Sequence, residues 1–353
     1  MDDFGIKYTD RANAQHLLDC LQLLYPITID WTGSKYLNIA INFSADRETL
    51  TLSMPGYVNK QILRFRPGGS TGAKSPGIYV PPVMGVQNAV DDTSRPLTAA
   101  EIKWVQGVNG AFLYYARVID STMLTAVNDI ATDIGGQPTL KLLDQANRLL
   151  DYAATYPDNE LVYRRSDMIL EAQCDASYLS RSGARSVAGG AAYLVCANDP
   201  CPSSNGLISC LSKIIDCIVA SVAEAEYAGV FKIGQHLAWL RVVCEALGHP
   251  QTKPTRIWCD NVCAVGLCND TLKLKRSKSI DMRFHWVRDR VRQGQFTVEW
   301  QAGANNLADF FTKALSVGKH QEMMRLLVRI PPSTAARLPR ARRGEARLSI
   351  VTP

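Results

Sequence analysis

The chain has 353 residues, 46% of them apolar, which is enough for two or three packed domains and excludes wholesale disorder. Its net charge is +6, but residues 331–353 carry five arginines against Glu345, so +4 lies in the tail and the remaining residues sum to +2. A basic bias of that kind is a weak pointer to a nucleic-acid partner. No apolar run reaches the ~18 residues of a membrane span, and no signal-peptide pattern opens the chain. The expectation is an intracellular protein, cytoplasmic or nuclear, not secreted and without a membrane partner. Cys174, Cys217, Cys244 and Cys259 lie inside strand or helix patterns, as buried thiols in a reducing compartment do. Cys259, Cys263 and Cys268 fit no common zinc-finger spacing and no His pair at a matching spacing follows them, so they read as structural thiols.

In chain order, Asp2 and Asp3 follow the first methionine. "RANAQHLLDCLQLL" predicts a helix with Leu17, Leu21 and Leu24 on one face. "YLNIAINFS" and "ETLTLSM" alternate as half-buried strands, and "PGYVNKQILRF" predicts a short helix opened by Pro55. These form a first region, 1–66. Residues 67–98 are dense in Gly, Pro and Ser and read as a linker without its own core. Helices over about 99–131 and 138–154 form a third region, 99–158. The last globular region is 159–328, and residues 329–353 read as a basic disordered tail.

Within 159–328, "MILEAQCDASY" puts Leu170, Ala172 and Cys174 on one strand face, with Glu171, Gln173 and Asp175 on the other. "RSVAGGAAYLV" and "CIVASV" read as two further strands of an antiparallel meander. A long helix opens at Ser221, where "SVAE" matches a capping box, and ends at Gly248. "TRIWCDN" predicts a strand ending at Asp260, followed by a short helix. "SIDMRFHWVRDRV" predicts a helix with the stripe Ile280, Phe284, Val287 and Val291, closed by Gly294. "FTVEW" is a fifth strand and "NNLADFFTKAL" a last helix carrying Asp309. The order βββαβαβα makes an α/β domain on a mixed five-stranded sheet.

Asp175, Glu226, Asp260 and Asp309 fall on the first strand, the first helix, the end of the fourth strand and the last helix. Taken singly, each is an ordinary cap or turn acid. Brought into one cleft they repel, unless cations bind there. Two hard cations about 3.5–4 Å apart would relieve that repulsion and activate a water for in-line attack on phosphate. Glu224 competes with Glu226 for the helix position. The capping box occupies Glu224, while Glu226 lies four residues from both Val222 and Val230 on the sheet-facing side.

The words "CDAS", "AEAEY", "WCDN", "KSIDMRFH" and "LADFFTK", in this order over some 150 residues, resemble the ribonuclease H domain of copia-type LTR retrotransposon Pol polyproteins. The resemblance implies a ribonuclease H-like domain preceded by a truncated reverse-transcriptase palm and thumb. "MDDFGIKY" then resembles the hairpin with the paired metal-binding aspartates, so Asp2 and Asp3 read as relics of a polymerase site whose third aspartate would lie upstream. Polymerase activity from this chain alone is not expected. One departure from the family stands out, Ser177 at a place often acidic; "WQAGANNLAD" also lacks a histidine found in many ribonucleases H, although the copia type commonly lacks it as well.

The expected activity is hydrolysis of the RNA strand of RNA–DNA hybrids by Asp175, Glu226, Asp260 and Asp309 with two Mg²⁺ ions, Mn²⁺ being a possible substitute. The alternative is an inactive retroelement remnant that at most binds nucleic acid. Lys273, Lys275, Arg276 and Lys278 are candidates for backbone-phosphate contacts, although a run like this is more often a solvated helix entry. Expected partners are the hybrid itself and upstream reverse-transcriptase and integrase parts of the element. His285, four residues after Asp281, reads as a surface or ion-paired histidine. Trp258 and Trp300 read as core.

Overall fold

Period-two and period-3.6 patterns set most elements of the computed structural model, which describes residues 4–6, 8–81, 92–181, 183–199, 205–272 and 285–335. Asp2, Asp3, Lys273, Lys275, Arg276, Lys278, Asp281, Ile280, Phe284 and the end of the basic tail lie outside the described residues.

The first part contains α1 (Arg11–Gln22), whose N-cap Asp10 accepts from the Ala12 N–H at 2.8 Å. A small sheet follows from β1 (Lys35–Tyr36), β2 (Ile39–Phe43) and β3 (Thr49–Ser53), then α2 (Tyr57–Phe65). "YLNIAINFS" is therefore not one strand. Leu37 and Asn38, with φ of 49° and 64°, turn the chain between β1 and β2, and the Tyr114 hydroxyl donates to the Leu37 carbonyl at 2.5 Å. The expected helix over 99–131 is also divided, into α3 (Ala99–Val118) and α4 (Leu124–Ile134). The break falls at Asp120, whose buried carboxylate accepts from the Thr122 N–H and hydroxyl and from Asn159 Nδ2. Helix α5 (Leu140–Thr155) follows. The stretch read as a free linker is tied to α5 in its first part. Asp151 accepts from Ser70 Oγ and the Thr71 N–H, and Ala73 N–H donates to Thr155 Oγ1 at 2.9 Å.

The second sheet is built from β5 (Ile169–Arg181), β6 (Arg185–Val195), β7 (Leu207–Ile214), β8 (Thr255–Cys259) and β9 (Phe296–Trp300), in the order β7-β6-β5-β8-β9. The first three are antiparallel, and β8 and β9 run parallel to β5. β7 precedes the "CIVASV" segment expected to be this strand. The alternating "LISCLSKI" pairs with β6, while residues 217–221 lead into the next helix, with Val219 in the core. That helix, α6 (Val222–Ala246), crosses one face of the sheet, followed by α7 (Val262–Cys268) and α8 (His285–Arg292).

The other face of the sheet is covered by the turn Leu307–Phe311, helix α9 (Val317–Leu327) and the α3–α5 helices, which share one apolar cluster with Ala191, Tyr193, Val195 and Leu207. Polar ties cross the same boundary. Thr125 Oγ1 donates to the Phe310 carbonyl at 2.5 Å, Asn128 Nδ2 donates to the Ser212 carbonyl at 3.0 Å, and Arg181 pairs with Asp129 at 2.6 Å. One more strand, β4 (Leu161–Arg164), belongs to the first sheet. It pairs antiparallel with β3, although only a few residues separate it from β5.

The "AGGAA" run of β6 lets the layers on both faces of the sheet approach closely. A Cβ on Gly189 would lie 2.6 Å from the Ala308 carbonyl oxygen and from Thr312 Cγ2, while one on Gly190 would lie 2.6 Å from Ile233 Cδ1. Gly189 thus admits the 307–312 segment and Gly190 admits α6. Gly189→Ala is expected to cost about 1–3 kcal/mol, because backbone must shift. Gly190→Ala meets only the Ile233 side chain, from Cβ to Cδ1, and no backbone, and should cost less. Chemical denaturation of both variants ranks the two, and equal costs would contradict this packing.

Candidate active site

Asp175 lies on the central strand β5, and only 3% of it is exposed, because α6 and the 307–312 turn close over it. Gly229 of α6 permits that closure: a Cβ there would stand 3.1 Å from the Asp175 carbonyl oxygen. Glu226, one turn earlier on α6 and 5% exposed, accepts from the Ala176 backbone N–H, and its Oε2 is buried with no hydrogen-bond partner. Asp260 follows β8, and Asp309 stands in the turn from Leu307 to Phe311.

That turn is a single 3₁₀ segment, not the start of a helix as expected. Asn306, fully buried, caps it by accepting from the Ala308 N–H at 3.1 Å and donates to the Cys174 carbonyl at 2.7 Å. Gln173, also fully buried, donates to the Asn305 carbonyl and to Gln301 Oε1 and accepts from the Leu307 N–H at 3.1 Å. Thr312 Oγ1 donates to Asp175 Oδ2. Strand β5 therefore holds the Asp309 turn through a chain of buried polar groups.

The carboxylates feel one another. Burial, then the charges of Asp309 and Asp260, push the Asp175 carboxyl up to about 7, against the pull of Lys313. Burial, Asp175, Cys259 and Asp260 push Glu226 up to about 10. Asp260 is raised by burial and by Asp309. The one cation amid the described acids is Lys313. Its Nζ sits 2.7 Å from Asp309 Oδ1, and although burial works against its charge, Asp175 and Asp309 raise its basicity. Ligand atoms of Glu226, Cys259 and Asp260 lie within 4.8 Å of one another. The orphaned oxygen of Glu226 and a set of hard carboxylate donors fit a divalent cation such as Mg²⁺ or Mn²⁺.

Glu224 is occupied elsewhere. Its N–H donates to Ser221 Oγ at 3.2 Å and its Oε2 accepts from the Ala220 N–H at 2.7 Å, so the cap closes one residue earlier than a capping box. Sequence reasoning missed Gln173, Asn306, Thr312 and Lys313. Only Gln173 carried a signal, as a polar residue two before Asp175 on the same strand face. Trp300, expected in the core, is 53% exposed and donates its Nε1–H to the Asp260 carbonyl at 3.1 Å. Trp258 is half-buried and donates to Glu171 Oε2 at 3.1 Å.

A mixed sheet in this order, with one acid midway along its central strand and another just past the end of the parallel neighbour, is a ribonuclease H-type α/β fold. The chain's homologues are retrovirus-related Pol polyproteins of copia-type transposons. It is 30% identical over 351 residues to the Pol polyprotein of transposon RE2 from Arabidopsis thaliana, covering 94% of this chain and 22% of that polyprotein. It is 33% identical over 118 residues to that of transposon TNT 1-94 from Nicotiana tabacum, covering 33% of this chain and 9% of the relative. The chain thus spans less than a quarter of these relatives. No protein-family model matches it. Among solved structures, an N-terminal RNase H domain from Mycobacterium tuberculosis aligns at 16% identity and a TM-score of 0.29, covering 44% of this chain and 96% of that one. A foamy viral protease-reverse transcriptase in complex with RNA/DNA hybrid aligns at 12% identity and a TM-score of 0.36, covering 60% and 28%. At such scores the fold assignment rests on the strand order, not on these alignments. Among the described residues, no helix is long and apolar enough to cross a membrane.

Proposed function

We propose that this chain is a metal-dependent ribonuclease that cuts the RNA strand of RNA–DNA hybrids, with Asp175, Glu226, Asp260 and Asp309 as its metal-binding acids. The ribonuclease H fold and the Pol homologues support a function in the ribonuclease H and reverse transcriptase class. The observation that carries the finer reading is the crowding of four carboxylates from four separate elements, two of them nearly fully buried and one with an unpartnered oxygen. Such a cluster is unfavourable by itself, and divalent cations relieve it.

Bound there, two Mg²⁺ ions would supply an activated water and stabilise the leaving oxygen. The chain's own part is positioning. Thr312 fixes one oxygen of Asp175, and the Gln173–Asn306 bonds hold the turn that presents Asp309. Lys313 adds a positive charge at the rim of the acids, suited to an anionic phosphate backbone. Strand choice would come from 2′-hydroxyl contacts across the hybrid's wide minor groove.

The test uses the full chain with an end-labelled RNA–DNA hybrid. Cutting is expected in Mg²⁺, none in EDTA, and a loss of at least about 10³-fold in Asp260→Asn. Equal cutting by Asp260→Asn overturns the assignment of the site. Hybrid that is bound and left uncut would identify an inactive remnant.

A further inference from the structure

The same dipeptide occurs twice, as Cys174–Asp175 within β5 and as Cys259–Asp260 where β8 ends. The parallel register, with Gln173 opposite Trp258, sets the two cysteines side by side beneath the two acids. Both thiols are free and fully buried, and the adjacent Cys259 side chain, together with burial, raises the Cys174 thiol above its ordinary value. Hard-cation chemistry uses neither sulfur.

Cys259 nevertheless belongs to the cluster in which its sulfur and an oxygen from each of Glu226 and Asp260 stand within 4.8 Å of one another. Donors around a tetrahedral zinc ion lie about 3.5 Å apart, so closure needs a contraction on the order of 1 Å. A second observation points to a ligand at the same place: Glu226 is 5% exposed, and its Oε2 is buried with no hydrogen-bond partner.

We propose that Glu226, Cys259 and Asp260 form a soft-metal site that captures a thiophilic divalent ion, Zn²⁺ or Cd²⁺, in competition with the hard ions of the proposed reaction. Carboxylates alone discriminate poorly among divalent ions, whereas a sulfur donor favours the soft ones. Capture forms one metal–sulfur bond and two metal–oxygen bonds, and the thiol proton leaves to solvent. Occupation ties up two of the four acids, so a thiophilic ion would act as an inhibitor. The site shares Glu226 and Asp260 with the proposed nuclease centre, but its existence does not require that any hybrid be cut.

The experiment titrates Cd²⁺ into the full chain carrying Cys20→Ser and Cys263→Ser, which remove the two exposed described thiols, without nucleic acid. The readout is the near-ultraviolet charge-transfer band of a cadmium–thiolate bond. One equivalent of band is expected, reversed by EDTA, with affinity falling at least about 100-fold on adding Cys259→Ala. Glu226→Gln, which keeps the thiol and nearly the same shape, should weaken binding in the same direction, and far-ultraviolet dichroism reports whether each variant is folded. No band in the parent, or a band of unchanged affinity in folded Cys259→Ala or Glu226→Gln, overturns the site. A chain that gives the band and cuts no hybrid sinks the nuclease reading alone, and one that cuts hybrid without the band sinks this one alone.

Discussion

Asp175→Asn is expected to abolish metal-dependent cutting of a hybrid, by at least about 10³-fold, and at the same time to make the metal-free protein more stable. The two effects share one cause. Asp175 is 3% exposed, and burial together with Asp309 and Asp260 pushes its carboxyl up to about 7, so above that pH the folded chain carries a charge that its site disfavours. An asparagine keeps the shape, can still accept from Thr312 Oγ1, and carries no charge to desolvate. In EDTA at pH 8, stabilisation on the order of 1–3 kcal/mol follows. In Mg²⁺ the order should narrow or reverse, since the parent alone gains from ion binding. Thermal melts of both proteins, with and without Mg²⁺, measure this. A variant that melts lower in EDTA would show that the carboxylate is satisfied by the protein alone, and the case for a cation there would fall.

Acidification should weaken the fold between about pH 6.5 and 4 through His320. This residue of α9 is buried against Phe310, and its Nε2 lies 3.0 Å from the Tyr152 hydroxyl. Burial depresses its folded-state value from 6.5 to about 4. As pH falls, the unfolded chain therefore takes up the proton first. The stability that the neutral imidazole contributes is complete above 6.5 and lost on passing down through 4, about 3 kcal/mol in all. Denaturant midpoints collected across that range should slope downward in the parent and lie flatter in His320→Gln. Parallel slopes would mean that His320 is protonated in the folded state without penalty.

Much of the second sheet was legible because local signals and tertiary structure agree. The alternation in "MILEAQCDASY", the Ser221 cap, Gly248 and Gly294 with φ of 87° and 70°, and "FTVEW" each mark an element that forms where expected. What was hidden is non-local or breaks a propensity rule. A leucine at positive φ does not announce a turn, so Leu37–Asn38 was read through. Asp309 stands in a 3₁₀ turn because buried Asn306 and Gln173 hold that backbone, and neither bond can be seen from spacing. The docking of Ser70 and Thr71 on Asp151 joins residues some 80 positions apart. Trp300 is aromatic in a strand, yet its place at the strand's end leaves half of it open.

The placement of β4 has a consequence for how such a chain can be rearranged. The four residues Leu161–Arg164 close the edge of the first sheet, and next to them Glu160 bridges to Arg329 beyond the last core helix. A cut made between the helical segment and β5 would strip an edge strand from one side and a clasp from the other. The two parts should melt in a single step. Recombination between elements would have to exchange them as one inseparable block.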